Sequence, residues 1–200
     1  MNYLAHAFLS HPNSQVILGN IMADSVKGRA CLGSLLPAVR AGVLQHRAVD
    51  KFTDEHPYCL EGRNFLVSIR PLHRAPVFDI LMDKLLARSW SRWTREPLDV
   101  FAERIRTIVE TLQPLHVPRF GNLADRIIND GALLKGTTAA GQRFLLERIG
   151  ERWGDAGLLL PALNDFARHE DDLVAGFQDF FFEAQASARR YDFSNTLSNT

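Results

Sequence analysis

Cysteine is scarce in this chain of 200 residues: only Cys31 and Cys59 occur, with no CxxC spacing. Two such residues exclude a multi-bridge disulfide framework and a structural zinc knuckle, and they read as reduced thiols. Net charge is absent too, since 23 lysines and arginines balance 23 aspartates and glutamates. That balance speaks against a general nucleic-acid partner while leaving room for a local basic patch. No uncharged apolar run approaches the length that spans a bilayer, so no membrane partner is expected. The start, Met1-Asn2-Tyr3-Leu4-Ala5-His6, lacks the basic residues and apolar run of a signal peptide. The expected location is cytoplasmic. Internal repeats are missing, as are the alternating apolar and polar runs that build sheets. There is no P-loop, no Rossmann fingerprint and no Gly-x-Ser-x-Gly elbow, which removes the common nucleotide and serine-hydrolase sites.

What is present is material for a helical core: 46% of residues are hydrophobic and 23% charged. Pro37, Pro57, Pro76, Pro97, Pro118 and Pro161 sit where helices would begin. Between them apolar residues recur at helical spacing. The expectation is an all-α, single-domain helical bundle over residues 1–190, with a polar tail at 191–200. Helices are expected over about Tyr3 to Ser10, then after a cap at Ser14. A polar loop, Lys27 to Leu36, leads to a third helix from Pro37 to near Glu55. A fourth runs from Pro57 to near Arg70, a fifth from Pro76 to Trp93, and a sixth from Pro97 through Leu112. Asn122 to Ile128, Gly141 to Trp153 and Leu158 to Phe182 complete the set. Phe177, Phe180, Phe181 and Phe182 read as core contacts or a partner surface. Gly19-Asn20 inside the second helix is costly by propensity, but it lets another backbone or a ligand come close.

The chemistry concentrates in the first half. His46 and Asp50 lie four apart on the third helix, so their side chains leave from one face. An imidazole and a carboxylate so placed can hold a divalent cation, or make an ordinary helix hydrogen bond. Other candidate ligands lie on apolar segments: His6, Asp24, Asp79 and Asp83. An unpaired carboxylate among apolar residues is costly, so Asp24 needs a partner such as Lys27, Arg47 or a cation. Asp79 and Asp83 repeat the four-residue spacing, and like charges so close repel unless a cation or an arginine intervenes. Oxygen-rich ligation with one or two imidazoles suits Mn²⁺, Mg²⁺ or Fe²⁺. A cation of that kind acidifies water and neutralises charge on a phosphoryl oxygen, which points to phosphoester hydrolysis. Arg47 offers a planar fork for the phosphate, or a salt bridge at the rim. The run His169-Glu170-Asp171-Asp172 reads as a solvated helix face.

Specific residues carry a family resemblance. They are Met1 to His6, Gly19-Asn20-Ile21-Met22-Ala23-Asp24, Gly42 with His46-Arg47-Ala48-Val49-Asp50, and Thr53-Asp54. Ala75-Pro76 to Asp79, Asp83 and Leu86-Ala87-Arg88-Ser89-Trp90 extend them. This pattern resembles the acyl carrier protein phosphodiesterase family over about the first ninety residues. The resemblance implies a hydrolase that removes 4′-phosphopantetheine from the serine of holo-acyl carrier protein and depends on a divalent cation, typically Mn²⁺. It also implies a distorted form of the HD-type metal phosphohydrolase site, since Arg47 and not aspartate follows His46. Asp24, His46 and Asp50 carry over first, then His6, Asp79 and Asp83, with Arg47 as a phosphate contact. The acidic carrier would dock on basic residues, for which Arg63, Arg70, Arg74, Arg88, Arg92 and Arg95 are available. Two alternatives remain at this stage: an HD-like phosphohydrolase of a nucleotide or other small phosphoester, and a non-catalytic helical binding protein.

Overall fold

The computed structural model describes residues 1–191 and Phe193. Apart from Tyr191 and Phe193, the expected polar tail at 191–200 lies outside the described residues. The elements are α1 (Tyr3–Leu9), α2 (Ser14–Met22), α3 (Gly28–Gly33), α4 (Pro37–Glu55), α5 (Pro57–Phe65) and α6 (Pro71–Arg88). They continue with α7 (Trp90–Trp93), α8 (Leu98–Thr111), α9 (Gly121–Asp130), α10 (Ala139–Arg152), α11 (Pro161–Arg168) and α12 (Glu170–Arg189). Short 3₁₀ turns join some of them, and no strand occurs among the described residues. The fold is all-α, as the apolar periodicity predicts. No helix among the described residues is long and apolar enough to cross a membrane.

Pro37, Pro57 and Pro161 each open a helix, where a fixed φ helps and the missing N–H costs nothing. Pro76 behaves differently. Helix α6 begins at Pro71 and runs through Pro76, one turn in. Only the hydrogen bond back to residue 72 is lost there, and buried Val77, Phe78 and Leu81 hold the segment helical. The second helix is capped by Asn13, whose side chain accepts from the backbone N–H groups of Gln15 and Val16, and not by Ser14. The expected loop at Lys27 to Leu36 contains the short α3, which buries no residue and so leaves no apolar stripe in the sequence. The expected helix from Leu158 to Phe182 is divided at His169 into α11 and α12.

One apolar cluster extends from Leu4 to Ala188, with Phe78, Phe120, Phe180 and Phe181 fully buried. Phe182 is the exception to the expected aromatic core, at 69% exposure. Each buried phenylalanine contributes roughly 1.5–3 kcal/mol relative to an exposed one.

The arrangement that places the site is the crossing of α2 and α4. A Cβ on Gly19 would land on the Val39 carbonyl, and one on Gly42 on the Val16 carbonyl. The two backbones therefore touch, and Gly19 serves a helix crossing rather than a ligand. A buried polar network ties this crossing to its neighbours. Asn20 Nδ2 donates to Gln45 Oε1 at 3.1 Å, and Gln45 Nε2 donates to the carbonyls of Leu9 and Ala188, each at 3.3 Å.

Candidate metal centre

Three elements bring the central residues together. Helix α1 supplies His6, α4 supplies His46 and Asp50, and the 3₁₀ turn Ala23–Ser25 after α2 supplies Asp24. His6 Nε2 lies 2.9 Å from Asp50 Oδ1, and His46 Nε2 lies 3.0 Å from Asp50 Oδ2. Asp24 Oδ1 stands 3.7 Å from His46 Nε2. The two imidazoles stack, with centroids 3.7 Å apart and planes 18° from parallel. Both rings are buried, whereas Asp50 is half-buried and Asp24 is 64% exposed at the opening.

The remaining candidates form an outer ring. The α-amino group of Met1 sits between two carboxylates, 3.3 Å from Asp50 Oδ1 and 3.4 Å from Asp79 Oδ2. Asp79 thus joins the cluster through an ammonium group and not directly. Asp83, one turn further along α6, is fully buried and packs against Gly136. Asn2 Nδ2 donates to its Oδ2 at 2.6 Å. Arg47 is exposed and donates from Nη2 to the Val26 carbonyl at 3.1 Å, two residues beyond Asp24.

Proton affinities follow from these contacts. Burial works to raise the Asp50 carboxyl, but His46, His6 and the Met1 ammonium overcome it and hold Asp50 well below the usual carboxylate range. Asp24 is lowered chiefly by His46. Burial, with the nearby His46, depresses His6 to about 4. Burial opposes protonation of His46 as well, yet Asp24 and Asp50 outweigh it and raise that ring. Asp79 is raised by burial against the pull of Met1 and Arg63, and burial lifts Asp83 to about 8 against the Asn2 hydrogen bond.

The donor set fits a divalent cation. One ligand atom each from His6, His46 and Asp50 lies within 4.8 Å of the others. His6 Nδ1 and both ring nitrogens of His46 are buried without a hydrogen-bond partner. His46 Nε2 is close to Asp50, but it lies off the line an N–H bond requires. Of these nitrogens His46 Nε2 faces the cluster, and a cation bound by its lone pair would offset the cost of burying it without a hydrogen bond.

A cavity of about 220 Å³ opens beside Asp24 and Asp79. Its wall includes Tyr3, Arg126, Arg148 and Arg152. A larger cavity, about 350 Å³, opens near Trp93 and Gln185 and touches none of the cluster. In the sequence these arginines stand out only as helix residues, with no histidine or carboxylate cluster beside them. The available signal was the spacing of Arg148 and Arg152, four apart on one helix face. Of the arginines considered for carrier docking, Arg63 pairs with Asp54 at 2.6 Å and Arg88 with Glu170 at 3.2 Å. Arg92 donates to Gln178 at 3.0 Å.

Comparison with known proteins bears on this geometry. A family model described as acyl carrier protein phosphodiesterase matches residues 1–184. The acyl carrier protein phosphodiesterases of Escherichia coli K12 and Escherichia coli SMS-3-5 are each 31% identical over 192 residues, covering 95% of this chain and 98% of theirs. No solved structure matches. With the match running through α1 to α12 and across every residue of the cluster, the chain belongs to the acyl carrier protein phosphodiesterase family.

Proposed function

We propose that this protein is a metal-dependent phosphodiesterase that hydrolyses 4′-phosphopantetheine from the serine of holo-acyl carrier protein, leaving apo-acyl carrier protein. The observation that carries this reading is the meeting of His6, His46 and Asp50, with unpartnered ring nitrogens, in a chain of this family. His6, His46 and Asp50, with Asp24 at the opening, would hold the cation; Mn²⁺ suits these donors, and Mg²⁺ or Fe²⁺ are related choices. When bound, the cation supplies acidification of water and neutralisation of phosphoryl charge.

The chain's own residues do the rest. Asp50 bridges the Nε2 edges of the two stacked imidazoles, orients both and stays ionised. In this reading Asp24, ionised and exposed, takes a proton from the attacking water. The water oxygen adds to phosphorus, the bond from phosphorus to the serine oxygen breaks, and that oxygen takes a proton from solvent while Asp24 releases the one it received. Asp79 and Asp83 act in this reading from the outer ring, setting the Met1 and Asn2 ends of α1. Arg47 has one N–H committed to Val26 and four left for phosphate.

We read the site as a distorted HD-type arrangement: the carboxylate follows His46 by four residues along the helix instead of by one. The apolar cluster from Leu4 to Ala188 supports treating residues 1–190 as one domain. Two free cysteines agree with a reducing cytoplasm, the compartment of carrier-dependent fatty acid synthesis.

The test is intact-mass analysis of holo-acyl carrier protein incubated with the protein and Mn²⁺. Loss of the mass of the arm is expected. An unchanged mass with folded protein and several metals would refute the reading, and faster turnover of a nucleotide or small phosphoester would favour an HD-like phosphohydrolase of that class.

A further inference from the structure

Three arginines from the second half of the chain share a cavity with two carboxylates of the first half. Arg126 on α9 and Arg148 and Arg152 on α10 line the 220 Å³ space that Asp24 and Asp79 also line. None of the three makes an ion pair or a side-chain hydrogen bond among the described residues, so what sets them apart is the cavity wall they share. Leu145, Arg148, Ile149 and Arg152 follow the helical repeat, so α10 turns one face to the cavity, part apolar and part cationic. Tyr3 stands between the two charge sets. Burial and the charge of Asp24 push its phenol up to about 12, while Arg126 and Arg152 pull against them. The phenol therefore keeps its proton at neutral pH, and its O–H has no partner among the described residues.

Guanidinium groups that share the wall of one cavity repel, and an anion bound there removes that cost. We propose that Arg126, Arg148 and Arg152 form the subsite that binds the phosphoryl anion of the substrate, with Leu145, Ile149 and Ile80 forming the floor for the apolar carbons next to it. The subsite rests on the phosphodiesterase reading for the identity of its anion. A phosphopantetheine arm carries its phosphate one methylene away from a dimethyl-substituted carbon, which matches a cationic wall over an apolar floor. The arginines also balance the carboxylates of the centre, which would otherwise repel an anionic substrate from their own cavity.

The experiment measures binding of 4′-phosphopantetheine, pantetheine and inorganic phosphate by calorimetry, alongside inhibition by apo-acyl carrier protein. The proteins are the wild type, Arg148→Gln, Arg152→Gln and Arg126→Gln. Because Arg148 and Arg152 are exposed, their variants keep the fold, and Arg148→Lys tests the planar fork while retaining charge. The expected result is binding of 4′-phosphopantetheine well above pantetheine, weakened about tenfold or more by each glutamine substitution, with apo-carrier inhibition unchanged. Equal binding of both compounds, or phosphate binding indifferent to the substitutions, would overturn the subsite. Loss of apo-carrier inhibition with 4′-phosphopantetheine binding intact would also overturn it, by making the arginines a docking face for acidic protein. Arginine-dependent phosphate binding in a protein that leaves holo-carrier intact would keep the subsite and reject the phosphodiesterase reading.

Discussion

Asp50 is the side chain on which the centre turns, because its two oxygens face two different imidazoles and one also faces the Met1 ammonium. Replacing Asp50 or His46 with alanine removes a proposed ligand and leaves buried ring nitrogens without support. Hydrolysis of holo-carrier is expected to fall about 100-fold or more in each variant, since losing only a hydrogen bond that orients a ligand costs about 10–100-fold. Asp83 gives a different signal. The folded protein keeps it protonated up to about pH 8, while the unfolded chain releases that proton near 3.8. Across that window the unfolded state binds fewer protons, so the Asp83 contribution to stability falls as pH rises. Asp83→Asn mimics the neutral form. Its melting temperature should exceed the wild type's above about pH 8, with the gap narrowing toward pH 5. Parallel melting curves for the two proteins across the range would contradict this. His6 has the opposite sign: folded at about 4 against an unfolded 6.5, it removes stability as pH falls through that interval.

At the scale of elements, the crossing of α2 and α4 sets the distance between Asp24 and His46. Gly19→Ala or Gly42→Ala forces a methyl group into the opposite backbone, and should cost about 1–3 kcal/mol in urea unfolding and reduce hydrolysis as well. Gly33→Ala, which meets open space on α3, should stay within about 0.5 kcal/mol of wild type. His46 and Asp50 were legible in the sequence because their pairing needs only one turn of one helix. Asp24 and His6 were legible through the apolar residues around them, which make a polar group conspicuous. Asp79 and Asp83 share the same spacing, but a turn of helix advances about 5.4 Å, enough to carry Asp83 past the cluster into the packing around Gly136. Of the arginine wall only the spacing of Arg148 and Arg152 was legible, because Arg126 and Tyr3 join them only through the packing of distant elements. The Met1 ammonium left no signal either, since a terminus has no residue pattern.

At the scale of the molecule, formal neutrality hides an uneven distribution: carboxylates gather inside the centre and unpaired arginines line the cavity beside it. The phosphorylated arm entering this cavity is drawn by charge, so the Michaelis constant for holo-carrier should rise several-fold with salt while kcat holds. Screening beyond about 10 Å at 0.1 M salt sets that range. A flat salt response would count against electrostatic capture. The direct test of a cation-holding centre is a Mn²⁺ titration followed by calorimetry on the wild type, Asp50→Ala and Asp83→Asn. The account predicts tight uptake by the wild type, retained uptake by Asp83→Asn and loss of at least about tenfold in affinity for Asp50→Ala. Equal Mn²⁺ uptake by wild type and Asp50→Ala, both folded, would contradict it.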